Sequence, residues 1–208
     1  MEQVLDLYAE PYDPARPVVC FDEVSKELHA EVQPAVPAAP GRARREDYEY
    51  ERRGTANLFM LCCPLVGWRQ VKVTKQRTYQ DVAHQWRALV DVHFPQAKQV
   101  RLVLDNLNTH TPGALYETFP PEEAKRILKR LILVYTPKHA SWLNMAEMEW
   151  SVLTRQVLDQ RIADLAALQR AVTHWTKRRN KAKTKINWCF RTSQARTTLK
   201  HLYPATLK

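Results

Sequence analysis

No two cysteines in this chain have the Cys-x-x-Cys or Cys/His spacing of a zinc site. Cys20, Cys62, Cys63 and Cys189 are scattered, which also excludes a disulfide framework and leaves them reading as small apolar side chains in a reducing compartment. Long apolar runs are missing too, so no stretch approaches the length that crosses a bilayer. The opening MEQVLDLYAEPYD is acidic and lacks the basic flank of an export signal. There is no internal repeat, and no helix has the pattern of one that reads bases in the major groove. These absences point to a soluble, cytoplasmic protein. Its 208 residues suffice for one domain with a helical appendage.

What the chain does have is positive charge. Its 32 Lys and Arg against 22 Asp and Glu give a formal net charge of +10, which favours a polyanionic partner such as DNA or RNA, although basic charge also serves plain solubility. The cationic residues concentrate in two places. Arg42, Arg44, Arg45, Arg52 and Arg53 surround a Pro/Ala/Arg-rich loop that follows the first strand. Lys177, Arg178, Arg179, Lys181 and Lys183 lie in the run TKRRNKAKTK. Both groups suit phosphate contacts, and both also suit a solvated surface.

The element pattern mixes strands and helices. PVVCFDE is a buried strand by its β-branched content, and residues 47–76 read as two or three antiparallel strands with turns near Gly54 and at PLVGW. A helix over 78–94 places Val82, Trp86, Leu89, Val90 and Val92 near one face. QVRLVLDN is the next strand. PEEAKRILKRL is a short helix with proline at its entry and glutamates in its first turn, and LILVYTP is a strand stopped by Pro137. Two helices follow, one with Leu143, Ala146, Trp150, Leu153 and Val157 on a face, the other with Leu165, Leu168, Val172 and Trp175.

Three carboxylates recur at the ends of such elements. Asp22 and Asp105 each close an apolar run, and a third acid is expected from a helix near them. Phosphoryl transfer on a nucleic acid backbone can be carried by two Mg²⁺ ions about 4 Å apart, which want hard oxygen ligands on rigid elements. Taken singly, Asp22 and Asp105 also fit Asx turns, and Glu147 fits a capping box with Asn144. At about 100° per residue Glu147 and Glu149 both edge the apolar face of their helix, so periodicity does not choose between them.

The blocks CFDE, PGRARREDYEYERRGTANLF, LVLDNLNTH, TPKHASWLNMAE and INWCFRTSQARTTLKHLYP occur in this order. Together they resemble the catalytic domain of bacterial transposases of insertion sequence family 630, related to the mariner group. The resemblance implies an α/β fold, an RNase H-like (retroviral integrase-like) mixed β-sheet flanked by α-helices. It implies Asp22, Asp105 and Glu147 as the catalytic, metal-holding triad for two Mg²⁺ or Mn²⁺ ions, and so chooses Glu147 over Glu149. Glu23, Asn106, His110 and Asn144 occupy motif positions suited to orienting the ligands.

The implied activity is strand cleavage and strand transfer at transposon ends. Its partners would be double-stranded DNA, as terminal inverted repeats and as target, and a second protomer in a homodimer on DNA, with no membrane and no small-molecule substrate. A catalytically silent remnant that binds nucleic acid or pairs with an intact transposase is the alternative. The family carries helix-turn-helix domains ahead of the catalytic domain, whereas here 16 residues precede Pro17. The expected organisation is a leader over 1–16, a catalytic core over 17–160 and a basic helical extension over 161–208 packed on it.

Overall fold

In the computed structural model, residues 1–45 and 47–203 are described; residues 204–208 of the C-terminal extension lie outside them. Five strands form one sheet, β1 (Val18–Glu31), β2 (Tyr50–Cys63), β3 (Trp68–Thr74), β4 (Val100–Leu104) and β5 (Leu131–Tyr135). Their order is β3-β2-β1-β4-β5. β1 runs antiparallel to β2, as β2 does to β3, while β1, β4 and β5 are parallel. The sequence dictates this mixture. A tight turn at Gly67 joins β2 to β3, whereas a helical crossover joins β4 to β5, and the path from β1 to β4 passes through β2, β3 and a helix, as parallel pairing demands a long connection.

Successive side chains on a strand face opposite ways, so apolar runs that are buried throughout must be covered on both faces. One face carries Cys20, Leu58, Met60, Cys62 and Val103 and packs against α1 (Glu2–Ala9), α5 (Met145–Leu153), α6 (Leu165–Lys181) and α7 (Thr192–Thr198). The other carries Val19, Phe21, Phe59, Leu61, Leu102 and Leu104. It packs against α2 (Tyr79–Ala88), α3 (Gly113–Thr118) and α4 (Pro121–Lys129).

Several expectations shift. β1 does not stop at Asp22 but continues to Glu31, taking in the first residues of the segment read as a loop. No turn forms at Gly54. β2 passes through it, and a register shift between Glu27 and His29 on β1 is taken up around this residue, whose φ of 94° suits glycine. The helix over 78–94 ends regularly at Ala88 and continues as a wider turn over Leu89–His93, which leaves Val92 exposed. α3 carries no clear periodic signal in its six residues.

Residues 1–16 contribute a helix to the core. α1 buries Val4, Leu5, Leu7 and Tyr8, and the Tyr8 hydroxyl donates to the Leu143 carbonyl at 2.8 Å. Its exposed side meets α7, where Arg196 forms a two-pronged ion pair with Glu2 at 2.7 Å and Thr192 donates to Asp6 at 2.5 Å. α1 and α7 thus close one face together.

Leu5 is fully buried in that layer. Leu5→Ala is expected to lower the unfolding free energy by about 2–5 kcal/mol through lost burial and the cavity left behind. Urea denaturation checks this, and a loss near zero would mean that α1 does not belong to the cooperative core.

Candidate active site

The sheet itself creates the site. β1 pairs with β4 only from Val18 to Cys20, and β4 ends at Leu104, so beyond Cys20 one side of β1 loses its neighbour. Asp22 and Glu23 lie just past that point. Asp105 is the first residue after β4. The carboxylates therefore meet where β1 outgrows β4, although Asp22 lies inside a strand.

Alternation separates the two acids of β1. Glu23 shares the face of Phe21, and its carboxylate accepts a hydrogen bond from His110 Nε2 at 2.7 Å. The other ring nitrogen, Nδ1, donates to Asp105 Oδ1 at 2.6 Å, and the Leu107 N–H donates to the same oxygen at 3.0 Å. His110 is wholly buried, with its ring 5.1 Å from that of Phe21. Burial by itself would lower the imidazole pKa, but the hydrogen bonds and charges of Asp105 and Glu23 override it and raise the value to about 9. At neutral pH the ring is a cation shared by two carboxylates. In return, the His110 bond holds the Asp105 carboxyl below the usual carboxylate range.

The loops around Asp105 are pinned as well. Asn106 Nδ2 donates to the Thr136 carbonyl at 2.6 Å, and the Tyr135 hydroxyl donates to the His110 carbonyl at 2.7 Å. Asn144, almost fully buried, does two jobs. Its Oδ1 caps α5 by accepting from the Ala146 N–H at 3.1 Å, and its Nδ2 donates to the Phe21 carbonyl at 2.7 Å. The helix that carries Glu147 is thereby tied to the residue preceding Asp22.

Asp22 registers the result. Burial first, then the charge of Glu23, and then the charges of Asp105 and Glu147 raise its pKa from 3.8 to about 7. Asp105 and Glu147 are thus both within electrostatic reach of Asp22. Glu149 is elsewhere. Its Oε1 accepts from Arg69 at 3.0 Å and from Arg179 at 2.9 Å, and both Glu149 and Arg69 are 1% exposed. Arg69 also donates to the Thr184 and Gly67 carbonyls, and Asn180 brackets its backbone.

The donor set of the three acids is all hard oxygen, which suits Mg²⁺ or Mn²⁺, and their mutual repulsion is what a divalent cation relieves. Among the described residues, no group of three or more His, Cys, Asp or Glu side chains is assembled closely enough to hold an ion as it stands.

The basic residues occupy separate places. Arg42, Arg44 and Arg45 are exposed on the segment between β1 and β2, which folds back through pairings of Val36 with Arg45 and Ala39 with Arg42. Arg52 and Arg53 are exposed on β2. Lys177, Arg178 and Lys181 line the exposed side of α6, and Lys183 lies just beyond it. Arg179 differs, since it turns inward to Glu149 and stacks on Trp175. The inward role of Arg69 was missed in the sequence, because a single arginine in the strand WRQVKVT reads as an exposed position.

Residues 17–169 match a family described as DDE superfamily endonuclease. Among solved structures, the chain is similar to the Mos1 strand transfer complex, with a TM-score of 0.60, 13% identity, and coverage of 88% of this chain and 54% of that one. It is similar to the Mos1 mariner paired end complex with Mn, at a TM-score of 0.58 and 16% identity over 88% of this chain and 54% of that one. It is also similar to the mariner Mos1 paired end complex with Mg, at 0.53 and 14% over 88% and 56%. These likenesses show an RNase H-like fold, and the chain spans about half the length of the structures it matches. No curated protein matches it in sequence.

Two outcomes follow from the geometry. An acid with a raised folded-state pKa costs stability as pH climbs from its ordinary value to the raised one. Asp22→Asn is therefore expected to stabilise the metal-free protein by about 1–3 kcal/mol at pH 7.5 and by nothing measurable at pH 4, as read by urea unfolding in chelator. Glu149→Ala leaves Arg69 buried and unpaired, so it is expected to destabilise by about 3–5 kcal/mol in the same assay.

Proposed function

Because the chain belongs to the DDE superfamily endonucleases, we propose that it is the catalytic domain of a transposase that cuts and joins DNA strands at transposon ends. What supports this reading is that Asp22 lies on a strand, Asp105 directly after one and Glu147 in the first turn of a helix, and that the charges of Asp105 and Glu147 join burial and Glu23 in raising the Asp22 pKa. Asp22, Asp105 and Glu147 would hold Mg²⁺ or Mn²⁺, two ions per site. When bound, the ions supply activation of the attacking oxygen and neutralisation of charge on the leaving oxygen.

The chain's own residues do the rest. Asp22 would help to hold the ions, and a cation beside it would favour its ionised carboxylate. His110 and the Leu107 N–H hold Asp105 in one orientation through its Oδ1, and Asp105 would help to hold a metal. Asn144 sets the approach of α5 and with it Glu147. The acids receive no covalent group: water attacks the phosphodiester and releases a 3′-hydroxyl, which then attacks a target phosphodiester and releases the target strand's 3′-hydroxyl. The exposed arginines of the β1–β2 segment and the lysines and Arg178 of α6 would bind phosphates, with steep salt dependence. Arg179 contributes by holding Glu149. A homodimer on paired DNA ends, in the bacterial cytoplasm at the nucleoid, completes this reading.

A second reading, a DNA-binding remnant that does not cut, draws on the fact that among the described residues no metal-holding group is preassembled. One assay separates the two. Supercoiled plasmid is incubated with the chain in Mg²⁺, Mn²⁺ or chelator. Metal-dependent nicking is expected, reduced at least about 100-fold in Asp105→Ala and in Glu147→Gln. Binding without nicking in either metal selects the remnant, and undiminished nicking by Asp105→Ala overturns the assignment of the acids.

A further inference from the structure

Trp142 is out of keeping with the other tryptophans, none of which is exposed. It sits in the turn Ser141–Leu143, immediately before the Asn144 cap, and is 43% exposed, whereas Trp150, three residues past Glu147, is buried in the core. Its orientation is nonetheless fixed. The ring stacks on Trp188 at 6.3 Å and an interplanar angle of 17°, and Phe190 meets it edge-on at 5.8 Å and 65°. A rigid aromatic plane held open to solvent beside a candidate active site is a ready stacking platform.

The platform walls a cavity of about 490 Å³, within the range of sites that take ligands of small-molecule size. Pro137, Lys138 and His139 form another part of its wall. The same three residues wall a second cleft of about 330 Å³, which Asp105 and Asn106 also line. One short loop therefore separates Asp105 from the aromatic cavity. His139 holds a φ of 61° in it, a left-handed conformation that a non-glycine residue adopts at some cost. The cavity's acid, Glu2, is already paired with Arg196, while Lys138 is exposed. A planar aromatic group with an anion attached matches a fixed aromatic face, an exposed ammonium and a shared wall with Asp105.

We propose that this cavity is a subsite for one unpaired nucleotide of a DNA strand. Its base stacks on Trp142 and its phosphate meets Lys138, next to the backbone bond presented to Asp22, Asp105 and Glu147. The inference rests on the DNA-cleavage reading above and adds to it a preference for locally opened DNA. A second copy of this chain docking on Trp142 would use the apolar plane but leave Lys138 and His139 on its rim without a purpose.

The test uses the whole chain in chelator, with a labelled single-stranded oligonucleotide and the blunt duplex of the same sequence, followed by fluorescence anisotropy. Trp142→Ala is expected to weaken single-strand binding about 10-fold, Trp142→Phe to restore most of it, and both to leave duplex affinity within about 2-fold. Thermal melts of both variants establish that the fold survives. Equal single-strand affinity in wild type and Trp142→Ala overturns the subsite. So does a loss shared equally by single strand and duplex, or a loss of self-association on sedimentation in place of a loss of single-strand binding. If the wild type nicks plasmid with Mg²⁺ while any of these holds, the subsite fails and the cleavage reading stands; absence of nicking in the wild type, with stacking intact, fails only the latter.

Discussion

A buried imidazolium with a carboxylate on each ring nitrogen solves a problem that the sheet creates for itself. Where β1 runs on past the end of β4, its unpaired flank must be filled, and the filler has to satisfy Glu23, which is nearly buried, and Asp105, which is partly exposed. An isolated buried carboxylate costs several kcal/mol, and an isolated buried imidazolium is equally poor. Joined at 2.7 and 2.6 Å the three groups satisfy one another. Because the ring is rigid, the pairing also fixes the separation of a β1 acid from the acid after β4. Tyr135, through the His110 carbonyl, brings β5 into the same arrangement.

The opposite face of β1 is organised by different means. There Asn144 takes the Phe21 carbonyl, Tyr8 takes the Leu143 carbonyl, and the ion triad of Arg69, Glu149 and Arg179 grips α5 from the side of β3 and α6. Gly67 belongs to this grip. A side chain there would lie 2.4 Å from the Lys183 backbone carbon, so the β2–β3 turn and the end of α6 can close on Arg69 only with glycine at that position. The third acid is therefore placed by contacts that reach back to the first helix and forward to the last basic segment.

Much of this was legible in the sequence, and what was not has physical reasons. The strands declare themselves by β-branched runs, and Leu143, Ala146, Trp150, Leu153 and Val157 mark the buried side of the third-acid helix and its extension as their spacing indicates. Position in space is another matter. Glu147 and Glu149 are equivalent on a helical wheel, and they separate only because Arg69 and Arg179 come from other elements to claim one of them. Trp142 and Trp150 also look alike in sequence, yet Trp150 falls on the regular helix and Trp142 in the tight turn before it, which turns its ring outward. The burial of Arg69 has no local signal, because its partners lie on α5 and beyond the end of α6. The role of α1 is hidden for a related reason: eight residues are too few for periodicity to speak, and the helix owes its stability to the groove it fills.

The carboxylate cluster is thus stressed and held at once. His110 offsets only part of the negative charge of its two partners, and burial, with the added charges of Glu23, Asp105 and Glu147, pushes the pKa of Asp22 up to about 7. A fold selected for stability alone would replace one of these acids with an amide. Here the stress is tolerated because each acid hangs from a separately anchored element, so repulsion can spread the side chains without opening the backbone. Such a cluster is pre-organised where rigidity matters, in the main chain, and left to be drawn together where a cation would act, at the carboxylate oxygens.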